Sequence, residues 1–153
     1  MQWQKQQRKQ RRDDRPYIRV IEFVFYNERE IRLAIMDARA ESNSPELRNG
    51  SGLPDPTATT AIRNLSLVPF IVIGGQELKL PERWMTVVEK TYAWCKRRGE
   101  KYYEIARAKY NGEYFVKTCA NIDVSITRFY EIIEKIKVYA ALQAAQLNLI
   151  YVE

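Results

Sequence analysis

The chain has 153 residues, with 25 Lys+Arg against 19 Asp+Glu for a formal charge of +6. That length suits one domain or two small ones with a real hydrophobic core, and 46% apolar with 29% charged residues excludes wholesale disorder. There is no histidine, which removes Ser-His-Asp and Cys-His nucleophile arrangements, the commonest general base and every His-dependent metal site.

Charge is unevenly placed. Residues 1–15 hold Lys5, Arg8, Lys9, Arg11, Arg12 and Arg15 against Asp13 and Asp14, a net of +4, so the other 138 residues carry only +2. This Gln/Arg-rich stretch lacks the apolar groups a core needs and is expected to be a disordered basic arm, suited either to polyanion binding or to solubility. A basic start with no apolar run behind it is no secretory signal. The longest apolar stretch, residues 67–73, is broken by Pro69 and falls far short of the ~18 residues that suggest a membrane span. Cys95 and Cys119 have neither CxxC spacing nor the numbers for a disulfide framework. Together these features predict a soluble protein of a reducing cytosol.

In chain order, the Tyr17–Tyr26 run is rich in β-branched and aromatic residues, which favours a strand. Its charged residues, Arg19 and Glu22, are three apart, however, and a half-buried strand alternates by two; helix is predicted. Ile31, Ile35 and Ala38 predict a second helix over 28–41. The Gly/Ser/Pro-rich residues 42–54 read as a flexible connection, without the context of a phosphate-cradling loop. Asp55-Pro56-Thr57 is a helix start, with Asp55 as N-cap and Pro56 at the first helical position, for a helix to about Leu65. Residues 68–80, an apolar run, Gly74-Gly75 and then Leu78 alternating with Leu80, predict a small β-hairpin. Pro81 opens a helix to Arg98 with Trp84, Val88, Thr91 and Cys95 on one stripe, which makes Cys95 a packing residue. Lys96-Arg97-Arg98 at its end suits the negative pole of the helix dipole or a phosphate contact.

Three further helices follow. Residues 101–110 carry Tyr103, Ala106 and Tyr110 at helical spacing and stop at Asn111-Gly112. Residues 113–120 form a short helix with Phe115, Val116 and Cys119 inward, before a turn over 121–124. Ser125 then caps a long helix whose apolar stripe is Phe129, Ile132, Ile133, Ile136, Ala140, Ala144 and Leu147. A short helix, a tight turn and a longer helix with polar residues in its exposed first turns is the helix-turn-helix arrangement. The candidate DNA-binding residues are Ser125, Ile126, Thr127, Arg128, Tyr130, Glu131 and Lys135, joined by the arm's Lys5, Arg8, Lys9, Arg11 and Arg12. Arg128 has the chemistry for a guanine edge or a phosphate, Thr127 for a base or backbone, and Ile126 and Tyr130 for a thymine methyl or a sugar.

The chain also resembles the phage-encoded transcriptional activators of the RinA/ArpU type over nearly its whole length after the arm. The resemblance is carried by Tyr17-Ile-Arg-Val-Ile-Glu-Phe-Val-Phe-Tyr-Asn27, by Asp55-Pro-Thr-Ala58 after a Gly-rich connection, by Val87-Val-Glu-Lys-Thr-Tyr92, by Lys109-Tyr-Asn-Gly112 and by Ala145-Gln-Leu-Asn-Leu-Ile-Tyr-Val152. It implies a phage or prophage regulator that binds duplex DNA and activates late genes, with a C-terminal domain similar to the promoter-reading domain of sigma factors. The sigma-like reading positions fall on Ile126, Thr127, Arg128, Tyr130 and Glu131. Sigma-type readers carry basic or amide side chains at several of these; here only Arg128 is basic.

No catalytic constellation emerges, so no enzyme is expected, and the reading requires neither cofactor nor metal. Glu131 and Glu134 lie three apart on one helix but lack further ligands, and Glu131 precedes Lys135 by four, an ordinary surface pair. Most aromatic residues, among them Trp84, Tyr92, Tyr103 and Tyr110, sit on apolar stripes and are expected in the core; Trp3, in the arm, has the freedom to stack on a base. The expected protein is mainly α, a helical bundle with a sigma-like C-terminal helix-turn-helix and a small hairpin near 68–80. Its divisions are a basic arm (1–15), an N-terminal helical region (16–98) and a C-terminal DNA-binding region (99–153). Double-stranded DNA is the expected partner, with RNA polymerase and further copies of the chain as additional candidates and no membrane. The alternatives are an RNA-binding protein that uses the arm, or a DNA-packaging component like a small terminase subunit.

Overall fold

The computed structural model describes residues 15–42 and 67–151. Among the described residues are six helices and one antiparallel hairpin: α1 (Pro16–Tyr26), α2 (Glu28–Ser42), β1 (Phe70–Ile73), β2 (Gln76–Lys79), α3 (Pro81–Arg98), α4 (Glu100–Tyr110), α5 (Phe115–Ile122) and α6 (Ile126–Gln146). This is the mainly helical architecture with a small hairpin that the sequence predicts. The arm residues 1–14, the connection over 43–54 and the helix expected from Asp55 to Leu65 lie outside the described residues.

The contest between strand and helix after Arg15 is decided by burial. Ile18, Ile21, Val24 and Phe25 are buried at intervals of three and four. Strand alternation would have placed Glu22 among them. On the helix Glu22 is half-buried, and its carboxylate meets Lys109 at 3.2 Å and Lys137 at 3.5 Å. Asn27 alone separates α1 from α2. Its side-chain amide donates to the Phe23 carbonyl at 2.8 Å, and its own carbonyl accepts from the Ile31 N–H at 2.9 Å, so helical bonding barely breaks.

The hairpin turns on Gly74 and Gly75, with φ of +56° and +81°. A two-residue turn that matches strand twist needs positive φ at both positions, which glycine adopts without a Cβ penalty. The register sets Ile71 opposite Leu78, both buried, while Phe70 and Val72 face outward. The inner face of β1 lies against α2. Glu82, in the first turn of α3, ties this corner together: it accepts from the Val68 N–H at 3.0 Å and from Arg39 Nε of α2 at 2.8 Å.

Helix α3 is the spine. It packs against α1, α2, α4 and α6, and the predicted stripe Trp84, Val88, Thr91 and Cys95 is wholly buried. The Thr91 hydroxyl donates to the Val87 carbonyl at 2.8 Å, so burial leaves no polar atom stranded there. The core runs without interruption from Ile18 in α1 through Val88 and Ile105 to Ile136 and Ala144 in α6. No helix among the described residues is long and apolar enough to cross a membrane.

Helices α4, α5 and α6 end alike, with a left-handed residue followed by an N–H that reaches back into the last turn. The left-handed residues are Gly112, Asp123 and Asn148, with φ of 78°, 57° and 57°. The closing bonds run from Glu113 to Ala108, Val124 to Cys119 and Leu149 to Ala144, at 3.0, 3.1 and 2.9 Å. This termination corrects two expected boundaries. Tyr114 is extended, so α5 starts at Phe115 rather than at 113, and it runs to Ile122, shrinking the expected 121–124 turn to residues 123–125. Val116, expected inward, is exposed: Phe115, Thr118, Cys119 and Ile122 share the inner face at helical spacing, and Val116 falls off it.

Candidate nucleic-acid interface

Helix α5, the three-residue turn and helix α6 form the expected short helix, turn and long helix. The Ser125 hydroxyl accepts the Arg128 backbone N–H at 3.1 Å, which makes Ser125 the N-cap of α6. Phe129, Ile132, Ile133, Ile136, Ala140 and Ala144 are buried as predicted, with Leu147 half-buried at the far end. This fixes the back of the helix. Ser125, Ile126, Thr127, Arg128, Tyr130, Glu131 and Lys135 are all exposed, so the fold presents every candidate residue of α6 and its cap to solvent.

Their chemistry is mixed. Arg128 pairs with Glu131 one turn on, at 3.2 Å. The pair expected between Glu131 and Lys135 is therefore corrected: the carboxylate turns back to the guanidinium, and Lys135 has no ion-pair partner among the described residues. Both side chains of the Arg128–Glu131 pair are about half exposed, so water screens their attraction to roughly 0–1 kcal/mol, and a guanine edge or phosphate competes for Arg128 at little cost. The Tyr130 ring leans on Phe115 and Phe129, with centroids 5.9 and 5.5 Å away, which holds the ring against the protein. Ile126 adds an apolar contact beside it. The face thus offers one guanidinium, one ammonium, one carboxylate, hydroxyls and two apolar surfaces.

More positive charge lies beside it. Lys96, Arg97 and Arg98, at the end of α3, are exposed, and Lys101 in the first turn of α4 reaches the Asp123 carbonyl in the turn at 3.4 Å. Sequence reasoning singled out the three consecutive cations but missed Lys101; its position two residues beyond the helix-breaking Gly99 was the available signal. Of the arm, only Arg15 is described. Its guanidinium lies 3.6 Å from Glu134 of α6 and 5.7 Å from the centre of the Tyr17 ring, which sets Arg15 alongside α6. Lys5, Arg8, Lys9, Arg11, Arg12 and Trp3 lie outside the described residues.

Glu131 and Glu134 are occupied by Arg128 and by Lys137 and Arg15, and among the described residues no three acidic or thiol groups converge to hold a metal ion. Burial pushes the Cys95 thiol up to about 11 and raises Cys119 as well, which suppresses the thiolate and suits packing rather than nucleophilic chemistry. Trp84, Tyr92 and Tyr110 are buried and Tyr103 is half-buried, so these rings are committed to the core and its margin. Compared with models of known protein families, with curated proteins and with solved structures, the chain matches none.

Proposed function

We propose that the protein is a transcriptional regulator that binds duplex DNA in a sequence-specific way through α5, the turn and α6, of the kind that activates phage or prophage late genes. One observation carries the reading: a Ser125-capped helix, anchored by Phe129, Ile132 and Ile133, leaves its first two turns free to solvent beside a short packed helix. In this role Arg128 reads a base edge after exchanging Glu131, Ile126 and Tyr130 cover a methyl or a sugar, and Lys135 neutralises a phosphate. The arm adds phosphate contacts that carry no sequence information. The regulator acts by binding and recruitment, with RNA polymerase as its second partner; no cofactor and no catalytic step enter. The phage-activator assignment is supported by the resemblance in the sequence.

The test is a selection of fragments from the genome that encodes the protein, scored by fluorescence anisotropy at two salt concentrations. A fragment bound well above random duplex at the higher salt is the expected result, and Arg128→Ala should lower that preference by about 1–3 kcal/mol. Binding that ignores sequence and vanishes with salt would overturn the reading.

A further inference from the structure

We infer that the corner between α3 and α4, formed by Lys96, Arg97, Arg98 and Lys101, is a phosphate-binding flank that grips the backbone of the same duplex beside the turn. The inference rests on the reading of α5 and α6 as a DNA-binding unit, and it adds a site on two other helices.

Arg32, Arg39, Arg107, Lys109, Arg128 and Lys137 each meet a carboxylate within ion-pair distance. Exposed Arg29, Lys79, Lys90, Lys117 and Lys135 lack an ion-pair partner among the described residues, but singly; what sets this corner apart is four such cations within six residues. None of the four corner cations has an ion-pair partner among the described residues. Two of them rest on rings instead: Lys96 Nζ lies 4.7 Å from the centre of the Tyr103 ring and the Arg98 guanidinium 5.2 Å from that of Trp94. A ring face under the cation restrains a long side chain without neutralising it, and the donors at its edge stay available to phosphate oxygens. The neighbouring acids, Glu100 and Glu104, leave residues 96–104 with a net charge of +2.

Placement supplies the second support. Arg83, near the start of α3, donates to the Leu147 carbonyl at the end of α6, while Trp94 further along α3 stacks on Tyr139, rings 4.5 Å apart and nearly parallel. The two helices therefore run antiparallel. Arg98 stands one turn beyond Trp94 and Lys135 one turn before Tyr139, so the end of α3 lies level with the N-terminal half of α6. Lys101 pins the same corner to the turn through the Asp123 carbonyl. The unpaired cations and the exposed first turns of α6 thus share one end of the bundle. A contact to the helix dipole explains why cations favour the end of α3, but it accounts neither for Lys101, at the start of a helix, nor for the ring supports.

The experiment compares the full chain with the triple variant Lys96→Gln, Arg97→Gln, Arg98→Gln. Anisotropy titrations use a labelled random-sequence duplex, and separately labelled heparin, over a range of salt. Circular dichroism melting checks the fold. Each phosphate contact contributes a slope of about 0.9 to the dependence of log K on log salt. The triple variant should therefore lose about 2–3 from the duplex slope and weaken on every sequence alike, with the preference among sequences kept. Arg97→Gln alone, which disturbs no ring contact, should lose about 1 and keeps the test valid if the triple variant melts. An unchanged slope in a protein that still prefers particular duplexes overturns the flank and leaves the regulator reading standing. Wild-type protein that ignores duplex but loses heparin binding on substitution overturns the regulator reading and, with it, duplex as this corner's ligand. Wild-type protein that binds neither probe overturns both.

Discussion

Glu22, Glu28 and Glu82 each hold a cation from another helix, whereas Lys96, Arg97, Arg98 and Lys101 meet only rings and a backbone carbonyl. Glu28 takes Arg32 at 3.1 Å and Arg107 at 3.5 Å, Glu22 takes Lys109 at 3.2 Å and Lys137 at 3.5 Å, and Glu82 takes Arg39. These three carboxylates are largely covered, with side chains 23%, 28% and 18% exposed, so solvent screens their pairs less than it screens Arg128–Glu131. The fold thus uses one set of cations to fasten α1 and α2 to α3, α4 and α6, and keeps another set clear. A net charge of +6 conceals this division, because the sum is indifferent to which positive groups are already spent on structure.

The sharpest way to break the comparison is to remove a carboxylate from the paired side. Glu82→Ala removes the carboxylate that Arg39 meets and leaves the buried Val68 N–H without an acceptor, so it should cost on the order of 2 kcal/mol in urea unfolding. The salt slope of duplex binding should not change. A variant as stable as wild type would show that these pairs are ornament. A smaller effect belongs to the interface itself: Ser125→Ala removes the cap on α6 and should cost about 1 kcal/mol, with Ser125→Asn close to neutral. If thermal melting shows alanine and asparagine to be equivalent, the hydroxyl is not what starts this helix.

Much of the fold was legible because periodicity and punctuation agreed. Pro81 and the Trp84–Cys95 stripe define α3, Gly74-Gly75 defines the hairpin, and Ser125 with the Phe129–Ala144 stripe defines α6. The Tyr17–Tyr26 run was harder, since its β-branched and aromatic content favours a strand; the spacing of Arg19 and Glu22 favoured the helix, and burial at 18, 21, 24 and 25 upholds it. The limits of α5 were not legible. Asp123 adopts a left-handed conformation that glycine signals and aspartate does not, so the helix runs two residues further than expected. Within the candidate site, exposure followed from the stripe, but partner choice did not. Glu131 stands within reach of cations on both sides, at 128 and 135, and only the folded arrangement selects Arg128. The register of α3 against α6, which brings the corner to the level of Lys135, is likewise a tertiary fact set by Trp94 on Tyr139.

The smallest effect at neutral pH becomes a distinguishing one in alkali. Burial pushes the Tyr92 hydroxyl up to about 12, and Glu28 adds to this, although the nearby Arg107 pulls the other way. Burial likewise raises Tyr110 well above its ordinary 10.0 and Cys95 from 9.0 to about 11. All three are acids that the fold keeps neutral. Their contribution is fully present below the unfolded values of 9.0 and 10.0 and is lost as pH climbs through the raised ones. Urea stability should therefore be level with respect to these groups up to about pH 9 and then fall, first as the thiol and then as the phenols are drawn toward ionisation. Phe25 touches both Tyr92 and Tyr110, with centroids 5.7 and 4.9 Å away, so the loss strikes the junction of α1, α3 and α4, which the Glu22 and Glu28 pairs also fasten. Tyrosinate absorbance followed during alkaline unfolding should show these two phenols ionising together with the loss of helix rather than before it. Tyr92→Phe should flatten part of the alkaline fall. Ionisation of Tyr92 in the intact fold near pH 10 would mean that this junction is open to water, and that the ion pairs around it are as weakly held as the cations of the corner.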